Sequence, residues 1–177
     1  MPKRLHLELV VAAAAKACND QGIYVTGRLS ILGKYPGAAA ELIDGDDFEL
    51  FPRSQPSAAG EIDRALSGNS GFRQLHGCGA RAVDPNDAVL PEGWQFRLLE
   101  VRTEATGTAS GWCLDPNDLA VAEIWSAGNN RPEFAQRLLL HDLIDPDLMQ
   151  RGMESLPSGR ERCEGLLEKM TRELRSP

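Results

Sequence analysis

The sequence predicts an α/β or α+β fold in which helices flank a mixed β-sheet, with a C-terminal helical segment. Two observations lead to this prediction. Short apolar runs at 23–26 and 47–52 are typical of buried strands and alternate with helical patterns. From Asp118 onward, apolar residues recur almost entirely at helical spacing. We therefore predict a sheet domain over residues 1–115 and a helical region over 116–177 that packs on it.

The elements of the N-terminal half follow from periodicity and from turn residues. Residues 5–21 have the apolar spacing of a helix that stops at Asn-Asp-Gln-Gly. The run 23–26 is a strand closed by Gly27, and the run 47–52 is a strand that ends at its proline. Because the connection between them is brief, we expect these two strands to be neighbours in one mixed sheet. The apolar spacing of residues 57–66 predicts another helix, with Ser57 as its candidate N-terminal cap.

The second half begins with two further strand candidates and continues with helices. The strand candidates are FRQLHGCGARAV (72–83) and FRLLEVRT (96–103), separated by a turn-rich stretch that ends in LPEGW. Four amphipathic segments then predict helices: DLAVAEIWSAG, RPEFAQRLLLHDLI, PDLMQRGMESL and GRERCEGLLEKMTREL.

Charge and composition exclude several classes of protein. The 177 residues carry a net charge of −7, which argues against broad nucleic-acid binding because that needs a basic face. The run 9–15 is the longest uncharged apolar stretch and is far shorter than a membrane span. The N-terminus lacks the apolar core and cleavage site of a signal peptide, so we expect a cytoplasmic protein without a membrane partner.

The four cysteines are expected to be free, buried thiols. They have no CxxC spacing, and the three histidines form no zinc signature with them. The cysteines are Cys18, Cys78, Cys113 and Cys163.

Asp47 and Glu49 are the most informative pair of residues. On an extended strand both carboxylates project from one face, whereas Phe48 projects from the other. Neighbouring acids repel each other, so a positive group should compensate them, and Arg28 and Arg102 are the candidates. Two explanations stay open: a solvated strand face, or a carboxylate pair that holds a divalent metal against phosphates.

The same region resembles a known superfamily. A strand ending in Thr26-Gly27, a loop, and a strand with two acids one residue apart are similar to nucleotidyltransferases of the DNA polymerase β type. Over about residues 5–155, the chain resembles uncharacterised bacterial nucleotidyltransferase-like proteins, distantly related to abortive-infection nucleotidyltransferase toxins. The segments that carry this resemblance are TGRLSILGKYP, DFELFP, LPEGWQFRL, GWCLDPNDLAVAEIWSAG and EFAQRLLLHDLIDPDLMQRG.

The resemblance implies a nucleotidyltransferase-like sheet and a reaction. A nucleoside monophosphate would pass from a nucleoside triphosphate to an unknown acceptor, with Mg²⁺ as the cofactor. Asp47 and Glu49 would bind the metal, and Glu100, on the later strand candidate, would be the third catalytic acid. The nucleotide-binding positions implied by the resemblance are Gly27, Arg28 and Ser30.

A second hypothesis also fits the resemblance. Arg28 stands where the family pattern has serine or glycine, and Glu123 stands near a position where the family usually has lysine. These differences weaken a site for a triphosphate. The chain would then be a catalytically lapsed nucleotidyltransferase-fold module that binds a protein partner or acts in regulation.

Overall fold

The computed structural model describes residues 1–84, 86, 88–125 and 132–157. The chain divides into two compact units. Residues 1–85 and 98–114 form the sheet unit, and residues 86–97 and 115–177 form the helical unit. None of the helices in the described ranges is long and apolar enough to cross a membrane.

Five strands among the described residues form one mixed sheet in the order β3-β2-β1-β5-β4. The central strand β1 is antiparallel to β2 and parallel to β5, while β3 runs parallel to β2 and β4 antiparallel to β5. The predicted α+β class with a mixed sheet is therefore confirmed. The strands are β1 (Gly22–Thr26), β2 (Asp47–Pro52), β3 (Gly79–Ala82), β4 (Leu99–Val101) and β5 (Ser110–Cys113).

Helices flank the sheet and make up the second unit. In the sheet unit they are α1 (Arg4–Cys18), α2 (Ala59–Leu66) and α3 (Gly71–His76). In the helical unit they are α4 (Pro116–Trp125), α5 (Pro132–Leu140) and α6 (Pro146–Glu154). Each of these three helices begins at a proline, whose missing N–H and fixed φ suit the first helical position. The predicted helix at 159–174 lies outside the described residues.

One face of the sheet is buried and the other carries polar side chains. Phe48 and Leu50 of β2, together with Val25 of β1, have no exposed surface. They lie on the face against which α1 and α2 pack. Asp47 and Glu49 lie on the opposite face, as the alternation of the sequence predicts.

Several predicted elements have different bounds or types. The candidate strand 72–83 is half helix: α3 begins after Ser70, whose hydroxyl caps it, and ends at Gly77 with φ 67°. The candidate strand 96–103 shortens to β4 because a 3₁₀ turn occupies Trp94–Phe96. Strand β5 was not predicted, since its four residues SGWC show no clear alternation. Ser57 does not cap α2.

Candidate functional site

The acid pair lies where β1 ends and β2 begins. Thr26 pairs with Glu49 across the two antiparallel strands, and Gly27 follows directly. The expectation that the Gly27 and Asp47 strands are neighbours in one sheet is confirmed. The sheet brings three of the predicted site residues, Gly27, Asp47 and Glu49, to one corner of its polar face.

Glu49 is enclosed by a glycine and an arginine. Its carboxylate lies against Gly27, where a Cβ atom would be 2.6 Å from Glu49 Cδ and 2.8 Å from Oε2. Gly27 also has φ 62°, a conformation that only glycine adopts without strain. On the other side, Arg81 lies opposite Glu49 on β3 and donates from Nη2 to Oε1 at 2.5 Å. Because Gly27 has no side chain, the Glu49 carboxylate can pack closely against it.

Asp47 has a matching environment. It is the register partner of Gly79 on β3, where a Cβ atom would lie 2.8 Å from Asp47 Oδ1 and 2.5 Å from the carbonyl oxygen of Leu66. Nη2 of Arg73, on α3, forms an ion pair with Oδ1 of Asp47. We call the groups Gly27–Glu49–Arg81 and Gly79–Asp47–Arg73 the two carboxylate cages. In each, an acid packs against a glycine and binds an arginine.

The carboxylate cages are partly open to solvent. The exposed side-chain fraction is 44% for Asp47 and 31% for Glu49. Arg81 is 57% exposed, whereas Arg73 is 27% exposed and its buried Nε has no hydrogen-bond partner among the described residues. Cys78 precedes Gly79 of the Asp47 cage; burial chiefly raises the pKa of its thiol, and Arg73 opposes that rise.

The remaining predicted nucleotide-binding residues, Arg28 and Ser30, follow Gly27 in the chain. Nη1 of Arg28 forms an ion pair with Oδ2 of the loop acid Asp44 at 3.1 Å. Ser30 is fully buried in the 3₁₀ helix Arg28–Gly33, and its amide donates to the carbonyl of Gly27 at 3.0 Å. Its hydroxyl makes no hydrogen bond within the described residues. Arg28 therefore forms an ion pair with an acid of the loop, and Ser30 is buried.

Glu100 does not join the acid pair. It lies on the edge strand β4, and β5 and β1 separate that strand from β2. Its Oε1 accepts a hydrogen bond from the hydroxyl of Ser110 at 2.6 Å. The prediction of Glu100 as a third acid assumed adjacent strands, and the strand order places it too far away.

The residues of this corner do not fit the metal site that the resemblance implies. The strands on both sides of β2 place Thr26 and Arg81 beside Glu49, so a third acid is missing from the neighbouring positions. Both carboxylates already bind guanidinium groups. Within the described part of the chain, no group of three or more His, Cys, Asp or Glu residues is arranged to hold a metal ion.

The sequence analysis missed three residues of the carboxylate cages: Arg73, Arg81 and Gly79. Repulsion between the acids did predict a compensating charge, but Arg28 and Arg102 were the candidates. The sequence feature that points to these residues is the Gly79-Ala80-Arg81 pattern. It alternates like Asp47-Phe48-Glu49, and the parallel pairing of β2 with β3 places the two patterns residue against residue. That pairing joins segments distant in sequence, so local periodicity does not reveal it.

Compared with protein-family models, with curated proteins and with solved structures, the chain matches none of them. The geometry of the carboxylate cages is therefore the structural observation that bears on function.

Proposed function

We propose that this protein is a nucleotidyltransferase-like module that acts in partner binding or regulation and does not transfer nucleotides. One observation supports this choice between the two hypotheses. Each acid that would hold Mg²⁺ is bound by an arginine, Asp47 by Arg73 and Glu49 by Arg81. An acid pair that serves a metal needs oxygen atoms free for the ion, whereas these carboxylates act as acceptors for protein donors.

The charges of the corner also favour this proposal. Arg73 and Arg81 of the cages and Arg28, which follows Gly27 in the chain, each bind a carboxylate. A triphosphate would have to compete with Asp44, Asp47 and Glu49 for these guanidinium groups. Since the acids are attached to the same fold, their effective concentration is high and the competition is unfavourable.

The exposed parts of the cages suit recognition of a protein partner. Asp47 and Arg81 are the most exposed members, at 44% and 57%, and they carry opposite charges on one sheet face. Such a surface orients a partner with complementary charges and rejects one with like charges.

A nucleotide titration tests the proposal. The wild-type protein is titrated by calorimetry with each of the four nucleoside triphosphates, once with Mg²⁺ and once with EDTA. We expect no saturable binding in either condition. A control with Arg73→Gln and Arg81→Gln in the same protein shows whether the arginines are what prevents binding.

Saturable binding to the wild-type protein that disappears with EDTA would contradict the proposal. It would favour the alternative hypothesis, a Mg²⁺-dependent nucleotidyltransferase in which Arg73 and Arg81 leave the acids when the nucleotide binds.

A further inference from the structure

We propose that the polar face of the sheet binds an acidic segment of a partner protein at a row of residues with an arginine at each end. We call Arg53, Gly22, Ser110 and Arg102 the arginine row, because they lie side by side across four strands. The segment that fits the row is extended and has two carboxylates with an apolar side chain between them. This inference rests on the proposed function and deepens it, because it names the class of partner.

Strand pairing places these residues in one row. Arg53 directly follows β2 and donates its backbone N–H to the carbonyl of Gly22 at 2.9 Å. Gly22 of β1 pairs with Ser110 of β5, and the antiparallel register of β4 with β5 brings Arg102 beside Ser110. Because neighbouring strands lie about 4.8 Å apart, the Cα atoms of the two arginines are about 14 Å apart.

The side chains of the row project from the polar face. A Cβ atom on Gly111 would meet α1, so the neighbouring Ser110 projects from the opposite face. Val101 is fully buried, and Arg102, which follows it, projects away from the core. Both Arg53 and Arg102 are exposed. The row therefore has a cation at each end and small residues between them.

Arg53 is held in place by aromatic rings. Its Cζ lies 4.7 Å from the centroid of the Trp112 ring and 6.0 Å from that of the Tyr24 ring. Its side chain also packs over Gly22, where a Cβ atom would be 3.0 Å from Arg53 Cδ. A guanidinium group that stacks on a ring keeps its in-plane N–H donors for a carboxylate. Because the side chain is already ordered, it loses less entropy when a partner binds.

Arg53 and Arg102 also differ from the other arginines in their bonding. Within the described ranges, neither guanidinium group donates a hydrogen bond or forms an ion pair. Every other described arginine interacts with an acid, a carbonyl or another group: Arg4, Arg28, Arg64, Arg73, Arg81, Arg97, Arg137 and Arg151. The two arginines that lack an acceptor thus lie at the two ends of one row, and carboxylates of a partner would supply the acceptors.

A protein segment fits the row better than a nucleic acid does. A nucleic-acid strand has a phosphate at every nucleotide and needs a continuous basic surface. Between the two arginines the row is neutral, and the carboxylate of Glu100 binds the hydroxyl of Ser110 at 2.6 Å. This acid repels a dense run of phosphates, whereas two separate carboxylates can reach the ends of the row.

The spacing of the row defines the segment. An extended peptide advances about 3.4 Å per residue, and every second side chain projects from the same face. Two acids about four residues apart therefore span the roughly 14 Å between the arginines. The side chain midway between these acids projects toward the same face, where the half-buried Trp112 offers apolar surface.

Fluorescence anisotropy with the full chain and a labelled peptide tests the inference. The probe is Ser-Glu-Ser-Leu-Ser-Glu-Ser, and the control peptide has glutamine in place of both glutamates. The test variant is Arg53→Gln with Arg102→Gln. The matched control variant is Arg64→Gln with Arg151→Gln, which removes the same positive charge from exposed positions on α2 and α6.

We expect the wild type and the matched control variant to bind the acidic peptide with a Kd of about 10–100 µM at low salt. The test variant should bind about tenfold more weakly or worse, because it loses both charge-assisted contacts. The glutamine peptide should not bind saturably. If the test variant does not fold, Arg102→Gln alone is used, since its side chain has no hydrogen bond or ion pair to lose within the described residues.

Equal affinities of the test and matched control variants would overturn the inference, because the peptide would then bind elsewhere. No saturable binding to the wild type would also overturn it, as would tighter arginine-dependent binding of an oligothymidylate than of the peptide. These measurements contain neither nucleoside triphosphate nor Mg²⁺. Mg²⁺-dependent nucleotide binding in the calorimetric titration would instead contradict the proposed function, so the two failures are distinguishable.

Discussion

Arg97 holds the buried carboxylate of Asp118 through two hydrogen bonds, from Nε to Oδ2 at 2.8 Å and from Nη2 to Oδ1 at 2.9 Å. Nη2 also donates to the carbonyl of Glu92 at 3.0 Å. This pair joins the segment before β4 to the first turn of α4. Both residues belong to the helical unit, so this ion pair stabilises that unit from within.

Arg97→Gln should destabilise the protein by about 2–4 kcal/mol near neutral pH, because it leaves a buried charge without its partner. Asp118 is only 4% exposed, and burial already raises its pKa although Arg97 lowers it. In the variant the pKa rises further. A carboxyl group whose pKa is raised in the folded state stabilises the protein at low pH, and this stabilisation is lost as the pH rises through that pKa. The destabilisation caused by Arg97→Gln should therefore be smaller in acid.

Urea denaturation of the Arg97→Gln variant at neutral and acidic pH measures this effect. The control is Arg97→Gln with Asp118→Asn, which has no carboxylate to bury and should lack the extra pH dependence. An equal loss relative to wild type at both pH values would show that the carboxylate is not the cause.

The Glu49 cage should show measurable coupling between its acid and its arginine. In a double-mutant cycle with Glu49→Gln and Arg81→Gln, we expect a coupling of about 0.5–1 kcal/mol, since both side chains are partly exposed. The matched control is the pair Glu61–Arg64 on α2, whose side chains are 44% and 73% exposed. Denaturant unfolding gives both values, and a coupling no larger than that of the control would contradict a special role for the cage.

Gly27→Ala should be more destabilising than Gly45→Ala. Both glycines have positive φ, 62° and 85°, so both variants lose about 1–2 kcal/mol from backbone strain. Only the Cβ atom at position 27 meets the Glu49 carboxylate, whereas nothing lies within 4 Å of a Cβ atom at position 45. The difference between the two unfolding free energies measures the packing of the Glu49 cage.

Equal losses for Gly27→Ala and Gly45→Ala would contradict close packing at Glu49. Adding Glu49→Ala to Gly27→Ala should recover part of the loss, because it removes the carboxylate that the new methyl group meets.

Cys113 should make the protein less stable at alkaline pH. Its thiol is fully buried, and burial raises its pKa from 9.0 to about 12, while Arg4 opposes this weakly. Between these values the unfolded chain loses the proton and the folded protein keeps it. The contribution of this thiol to the free energy of unfolding is therefore complete below pH 9. Above pH 9 it falls by about 1.4 kcal/mol per pH unit.

The slope of unfolding free energy against alkaline pH tests this prediction in the wild type and in Cys113→Ala. Other groups titrate equally in both proteins, so the variant should have the shallower slope, and identical slopes would contradict the prediction. The expectation of free, buried thiols is confirmed for Cys18, Cys78 and Cys113, and Cys163 lies outside the described residues.

Local pattern was enough to predict much of the sheet. The period of two in DFELFP predicted a buried Phe48 and outward-facing acids, because successive side chains of a strand alternate whatever its neighbours are. The helices α4, α5 and α6 also followed from apolar spacing. The short connection from β1 to β2 correctly predicted that these strands are neighbours.

The order of the strands and the partners of the acids were decided by tertiary structure. The sequence by itself determined that Asp47 and Glu49 share a face and need positive charge, since alternation and repulsion act locally. Only the parallel pairing of β2 with β3 placed Arg81 beside Glu49, and only the fold of α3 brought Arg73 to Asp47. Such contacts join distant segments through the packing of a shared core, which no local pattern encodes.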